Sequence, residues 1–509
     1  MQCKITEAAT KYYKTTAFVA GWLSVGIFAP YFQQWCGFLA FGWLLRLLLS
    51  TQSIKRAAAI GYWFGFAHFA GGFSWVGNAL LVDADRFGWL YPIALVAAGG
   101  FFGAFAAVPA AVCAMLQDKW NKWLAFGAVW VLGEWGRSFI LTGFPWNLLG
   151  YSWANEIWFL QSAAVGGAYL VSLSAVLGYS LVGIWMADCR RRILLQVMLG
   201  MAIIFGGNYL WGQIRLRGAE DLQGETRVRI VQPSIPQTMK WSKQAAEDNW
   251  QKYLQLSASK TDEAPQAIVW GETASPFGLE DDEVHLHELA EILPKQAILL
   301  TGVVSYQYND GRYRPHNSMV MIDGEGQIRG YYHKAHLVPF GEYVPLRKYL
   351  PEFVRPVANA IGEFGRGQGA ESFELVGLPK MGAAICYEII FPHQVVDEKN
   401  RPEWLVNLTN DGWYGVSSGP YQHWVAAKFR AVEEGITIVR AANNGISGMI
   451  DAYGREKGVM PLNYVGISDV NLSKSIGGTT YGRLGNLISI TLCLILLAVG
   501  VIREKIKLK

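Results

Sequence analysis

The sequence predicts two unlike parts: a multi-span α-helical membrane bundle of eight transmembrane helices, and one extramembrane α/β domain. Three observations lead there. Charged residues are only 17 % of the 509, against about 25 % in ordinary soluble chains. Long apolar runs crowd residues 1–216 and recur once near the C-terminus, each near the roughly 20 residues that a bilayer span needs. Residues 217–480 instead have a soluble composition, with β-branched runs of strand length. The mean hydropathy of +0.19 is the average of these parts, and it excludes a disordered chain. The near balance of 44 basic and 40 acidic residues argues against a nucleic-acid partner.

Seven spans are expected at about 15–30, 33–50, 58–82, 89–116, 123–142, 158–187 and 193–213, and an eighth in 481–509 over Leu484–Ile502. The first reads as retained, because no small-residue cleavage site leads from it into a soluble segment. Orientation follows from basic residues in short loops. One set of alternate ends carries Lys4, Lys11 and Lys14; Arg46, Lys55 and Arg56; Lys119 and Lys122; Arg190, Arg191 and Arg192; and Arg503, Lys505, Lys507 and Lys509. The other set has Arg86 and Arg137. The first set, with both termini, is expected in the cytoplasm. Seven spans then place residues 217–480 outside. Within the spans, Glu134 and Arg137 are spaced to pair on one helix face, and His68 is expected to bond within the bundle.

In the outer domain, strands are expected at Val228–Gln232, Ala267–Trp270, Ala297–Val304, Ser318–Ile322, Met381–Ile385, Leu405–Leu408 and Ile436–Arg440. Helices are expected over Lys243–Ser259 and His423–Glu434. Metal spacings such as CxxC or HExxH are absent, as is a phosphate loop.

Cysteine placement points to chemistry. Cys3, Cys36, Cys113, Cys189 and Cys493 lie in or beside the membrane part, so Cys386 has no disulfide partner in the outer domain. It follows the apolar run Met381–Ile385, where a strand end aims a nucleophile into a cleft. A thiol needs a base and a cation beside it. Two other strand ends supply those types: Ile268-Val-Trp-Gly-Glu272 and Ile328-Arg-Gly-Tyr-Tyr-His-Lys334.

The order Glu272, Lys334, Cys386 in Trp-Gly-Glu-Thr, Tyr-His-Lys and Ile-Cys-Tyr-Glu resembles the nitrilase superfamily. With the spans it is similar to the membrane-embedded branch, the apolipoprotein N-acyltransferases. Further matches are Val231–Trp241, Leu337–Pro345, Asn410–Gly415, Arg440–Gly445 and Leu141–Trp146. Gly271 departs from the proline expected before the glutamate.

The resemblance implies an αββα sandwich in 217–480 and a role for each matching residue. Glu272 is then the general base, Lys334 the charge stabiliser and Cys386 the nucleophile, with Glu342, Tyr387, Glu388 and Trp241 supporting. Trp146, Phe340, Tyr343, Arg347 and Lys348 are candidates for lipid contact. In the apolar segment Tyr343–Phe364, Leu346, Leu350, Phe353, Val354, Val357 and Ile361 could enter the membrane interface, with Arg355 near lipid phosphate; a helix packed on its own domain is the other reading. The implied reaction moves an acyl chain from the sn-1 position of phosphatidylethanolamine, through a Cys thioester, to the amine of a diacylglyceryl-cysteine apolipoprotein. The implied setting is the bacterial inner membrane, with the catalytic domain periplasmic. No metal or organic cofactor is expected, and a monomer is. The alternatives are a membrane-tethered amidase using the same three residues, and a transporter or receptor that has lost catalysis.

Overall fold

The computed structural model describes residues 11–219, 222–309, 312–349 and 362–507. The chain divides into two compact units: Met1–Ala219 with Thr480–Lys509, and Glu220–Thr479.

The first unit is helical. Each predicted apolar run carries a helix: α1 Tyr13–Leu23, α2 Gln34–Leu49, α3 Ile54–Gly72, α4 Tyr91–Ala114, α5 Lys119–Gly136, α6 Ala163–Ala187, α7 Arg191–Arg217 and the C-terminal Leu487–Lys507. Among the described residues, four helices are long and apolar enough to cross a bilayer: Ala84–Ala114, Ala163–Ala187, Arg191–Arg217 and Leu487–Ile506. The helices depart from the predicted runs at several points, for local reasons. Helix α5 begins at its cap Asp118, which accepts from Trp120 N and Asn121 N. Helix α6 is broken at Gly166 and Gly167. Gly167 has φ +68, and a Cβ there would sit 2.2 Å from the Tyr481 ring, so glycine is required. Glu504 of the C-terminal helix accepts from Gln117 N at 2.8 Å and Asn121 Nδ2 at 2.9 Å, locking that helix to the start of α5.

Two interactions were expected within the bundle, and one differs. His68 Nδ1 lies 2.6 Å from Ser24 Oγ. Glu134 and Arg137 form no direct ion pair. Glu134 accepts from Leu149 N and Trp130 Nε1, while Arg137 donates to the Trp146 carbonyl at 3.0 Å and covers the Phe69 ring. Backbone groups of the segment that follows α5, the Leu149 N–H and the Trp146 carbonyl, claim each side chain in place of the partner one turn away.

The second unit holds two six-stranded sheets, ordered β12-β1-β2-β3-β4-β5 and β11-β10-β9-β8-β7-β6. The first contains β1 Gln223–Gln232, β2 Ala267–Val269, β3 Ile298–Asn309, β4 Arg312–Asp323, β5 Ile328–His333 and β12 Gly466–Ser473. The second contains β6 Ser372–Phe373, β7 Met381–Ile385, β8 Trp404–Thr409, β9 Thr437–Ala442, β10 Ser447–Ile450 and β11 Glu456–Met460. At the centres β1, β2 and β3 run parallel, as do β7, β8 and β9.

Side-chain alternation builds the layers. Val228, Ile230, Val269, Leu300 and Met321 point inward and meet Met381, Ile385, Val406, Leu408 and Val439 of the other sheet. Val231, Ile268, Leu299 and Val320 point outward onto helices α8 Ala246–Ser257 and α9 Glu283–Ile292. Helix α10 Gly419–Glu434 packs with the second sheet. The result is an αββα sandwich. Burying about 0.8 kcal/mol per CH₂ across that double interface is its main driving force.

Candidate active site

The carboxyl ends of β2, β5, β7 and β8 converge, and each presents one polar group. β2 runs into Glu272, whose N–H donates to the Thr409 carbonyl at the end of β8. Gly302 in β3 lets this turn approach: a Cβ there would lie 2.2 Å from Thr273 N. β5 runs into Lys334, whose N–H donates to Asn317 O on β4. β7 runs into Cys386, the first residue of a 3₁₀ turn.

Glu272, Lys334 and Glu342 are buried together. Lys334 Nζ donates to Glu272 Oε1 at 3.2 Å and to Glu342 Oε1 at 3.0 Å. The Asn317 amide donates to the same two oxygens at 2.7 and 2.8 Å. Both donors to Glu272 reach Oε1, so Oε2 remains open to accept a proton. Burial opposes the charge on Glu272, but Lys334 and Lys240 outweigh it and hold the carboxyl below its ordinary value. Burial likewise opposes the Lys334 ammonium, and Glu272 and Glu342 more than restore it. An ammonium has three donors; two face carboxylates, and the third meets no carboxylate among the described residues.

Cys386 is 5 % exposed and has φ +50. That region costs a non-glycine residue about 1–3 kcal/mol. The surroundings hold it there. His423 Nε2 donates to the Cys386 carbonyl at 3.1 Å, and His423 Nδ1 lies 2.8 Å from Asp411 Oδ1. Arg440 Nη2 donates to Asp411 Oδ2 at 2.9 Å. This network is fully buried. Burial pushes the Cys386 thiol up to about 12; Glu272 adds to the rise, and Lys334 and the Thr409 hydroxyl oppose it. The resting group at neutral pH is therefore the protonated thiol.

The supporting residues divide by what they touch. Glu388 bonds no cation. It accepts from Ala335 N at 2.8 Å, His336 N at 3.1 Å, Ile385 N at 2.7 Å and the Tyr332 hydroxyl at 2.9 Å. It thereby ties the Lys334 strand end to the Cys386 strand end. Tyr387 is buried, edge-on to Phe391 and His336. Glu342 also accepts from Val338 N at 2.8 Å, which fixes its loop. Trp241 is 41 % exposed at the end of the short helix Gln237–Lys240, so it is not a core aromatic.

The lipid-contact candidates do not form one group. Phe340 is exposed, and its N–H donates to the Tyr343 carbonyl. Arg366 lies over the Tyr343 ring. Arg347 pairs with Glu363 at 3.7 Å, and Lys348 lies over Tyr349; both are exposed. Trp146 belongs to the helical unit, buried with its ring 4.4 Å from Trp75. Leu350, Phe353, Val354, Arg355, Val357 and Ile361 lie outside the described residues, as does Cys3. Cys36, Cys113, Cys386 and Cys493 are free thiols.

Sequence reasoning missed Asn317, Lys240, Thr409 and the Asp411–His423–Arg440 network. Lys240, Asp411 and Arg440 stood inside matching stretches, and that was their only signal.

Two family models match the chain: the carbon-nitrogen hydrolase model over residues 227–474, and the apolipoprotein N-acyltransferase N-terminal domain over residues 20–181. Among curated relatives, the apolipoprotein N-acyltransferase of Rhodopseudomonas palustris is 35 % identical, covering 96 % of this chain and 95 % of its own. That of Brucella melitensis is 37 % identical over 89 % and 85 %. That of Rickettsia typhi is 33 % identical over 93 % and 95 %. An amidase of the nitrilase superfamily from Nesterenkonia overlaps 49 % of this chain and 92 % of its own, at 15 % identity and a TM-score of 0.37. The buried glutamate–lysine–cysteine site thus sits in a chain matched nearly end to end by these acyltransferases, and the chain belongs to the apolipoprotein N-acyltransferase family.

Proposed function

We propose that this chain N-acylates apolipoproteins by a ping-pong reaction through Cys386. The observation that carries the reading is the open Glu272 Oε2 in a buried cluster whose charges act on the Cys386 thiol. Glu272 takes the Sγ proton as sulfur attacks the sn-1 ester carbonyl of a phospholipid, most simply phosphatidylethanolamine. The free Lys334 donor holds the oxyanion, a contact worth about 10²–10³ in rate. The C–O bond breaks, Glu272 returns the proton to the lysophospholipid oxygen, and an acyl thioester remains. The α-amine of a diacylglyceryl-cysteine apolipoprotein then attacks the thioester. Glu272 receives the N–H proton, the C–S bond breaks, and the proton passes back to sulfur. No step calls for a metal or an organic cofactor, because sulfur does the covalent chemistry.

Both substrates carry acyl chains, and extracting a chain costs about 0.8 kcal/mol per CH₂. A multi-pass helical unit keeps the enzyme where those chains are. The basic-loop bias supports eight spans, cytoplasmic termini, residues 217–480 as a periplasmic catalytic domain, and residence in the bacterial inner membrane. The exposed Phe340 and Leu346, with Arg347 and Lys348, suit contact with lipid near the site; Tyr343 and Trp146 are proposed to line lipid positions, and Trp241 to support the site. The active form is a monomer.

The test follows a label. Purified protein in detergent receives phosphatidylethanolamine labelled in its sn-1 chain and a diacylglyceryl-cysteine peptide. Label should appear as an amide on the peptide. Release of the label as free fatty acid, with none on the peptide, would mark a hydrolase instead.

A further inference from the structure

Lys240 is buried, 7 % exposed, at the end of the short helix Gln237–Lys240. Its Nζ donates to the Glu272 carbonyl oxygen at 2.6 Å. Among the described residues, no carboxylate lies within ion-pair distance of it. An ammonium in such a place normally has one, so its location calls for a reason.

The reason lies in the charges around Cys386. Glu272 and Glu342 bring two negative charges, and Lys334 answers with one positive charge. Behind the nucleophile, Asp411 is already matched by Arg440. The carboxylates that touch Lys334 therefore exceed it by one charge, beside a thiol that must become a thiolate; Glu388 is satisfied separately, by three backbone N–H groups and the Tyr332 hydroxyl. Lys240 supplies the missing charge, and its field reaches both Glu272 and Cys386. Its bond to the Glu272 carbonyl also fixes the peptide before Thr273, which has φ +43.

We propose that Lys240 is a positioning residue that neutralises the site's second carboxylate and holds the Glu272 main chain, so that the Cys386 thiolate forms beside two acids. The inference rests on reading Cys386 as the nucleophile. Burial pulls Lys240 down to about 8, although Glu272 and Cys386 oppose the fall. The groups facing this equilibrium are Glu272, Cys386, Lys334 and Glu342, with Asp411, His423, Arg440 and Tyr414 around the sulfur. A lysine that merely filled space would leave the thiol's titration alone.

The test reads the thiol directly and needs no acyl transfer. Full-length protein in detergent is alkylated with iodoacetamide across a pH series, and the Cys386 peptide is quantified by mass spectrometry. Lys240→Met removes both the charge and the donor; Lys240→Gln removes the charge alone. A nearby opposite charge moves a pKa by about 1–3 units. Below about pH 8, where Lys240 carries its charge, both neutral variants should therefore alkylate about tenfold or more slowly than the native protein. The native lead should shrink as pH rises through about 8 and the ammonium is lost. Lys240→Arg should alkylate at the native rate near neutral pH. If the Met variant does not fold, as judged by its thermal transition, the Gln variant decides. If neither folds, the Arg variant decides: a native rate near neutral pH supports the role, and a rate about tenfold slower rejects it. Folded neutral variants that alkylate at the native rate near neutral pH would overturn the proposal. Failure of the label-transfer test would reject the nucleophile reading instead, and alkylation would still report on Lys240.

Discussion

Replacing Lys334 by methionine isolates the effect of its ammonium. Native Lys334 is 1 % exposed between two carboxylates. Methionine keeps most of the volume and removes the charge. Glu272 and Glu342 then share only the Asn317 amide. Breaking a buried pair costs about 3–5 kcal/mol, and here the sign of its pH dependence should reverse. In the native protein Glu272 lies below its ordinary value, with Lys334 and Lys240 outweighing burial. Its contribution is present above the unfolded carboxyl value and is lost as pH falls through the lowered one. In the variant, burial and the adjacent carboxylate push Glu272 above that ordinary value. Its contribution is then present in acid and is lost as pH rises through the raised value. A rise of about two units is about 2.7 kcal/mol, or roughly 5–11 °C in a domain of this size. Calorimetry of the full-length protein in detergent at about pH 5 and about pH 8 measures this. The native midpoint should hold or rise between them, and that of Lys334→Met should fall. Parallel pH dependence in the two proteins would refute the reasoning.

Two further substitutions probe how the nucleophile is held. Cys386→Gly should be more stable than Cys386→Ala by about 1 kcal/mol, because only glycine adopts φ +50 without cost; an alanine variant of equal or higher thermal midpoint would remove strain from the account. Glu388→Gln must turn an NH₂ toward at least one of the N–H groups of Ala335, His336 or Ile385. A buried donor left unpaired costs about 1–3 kcal/mol. Hydrogen exchange should speed up at the ends of β5 and β7, and unchanged exchange there would show that Glu388 does not join them.

Much of this was legible in the sequence because the central strands are mostly apolar on both faces, with single paired polar residues such as Arg229 and Asn407. Val228–Gln232, Met381–Ile385 and Leu405–Leu408 lie between two packed layers, and such strands read as continuous apolar runs. The outer strands hide for the opposite reason. In β11 only Met460 is buried, so Glu456–Met460 shows no alternation to detect. Cys386 could be found because it ends a strand and lacks a disulfide partner. Asn317 and Lys240 could not, because their meaning comes from neighbours far along the chain. Asn317 bridges Glu272 and Glu342, and Lys240 meets the Glu272 carbonyl only after β2 is seated. Glu134 and Arg137 show the limit of spacing arguments: helical proximity was right, yet backbone groups claimed both side chains.

The central claim is that the acyl group resides on Cys386 between the two substrates. The most direct measurement is the mass of the protein after incubation with phosphatidylethanolamine and no acceptor, with peptide mapping of the product. The account predicts one acyl increment on the peptide carrying Cys386, released by neutral hydroxylamine as a thioester is. Adding a diacylglyceryl-cysteine peptide with a free amine should clear the increment and return it as an amide on that peptide. No increment on the native protein, or the same increment in Cys386→Ser, would contradict the account.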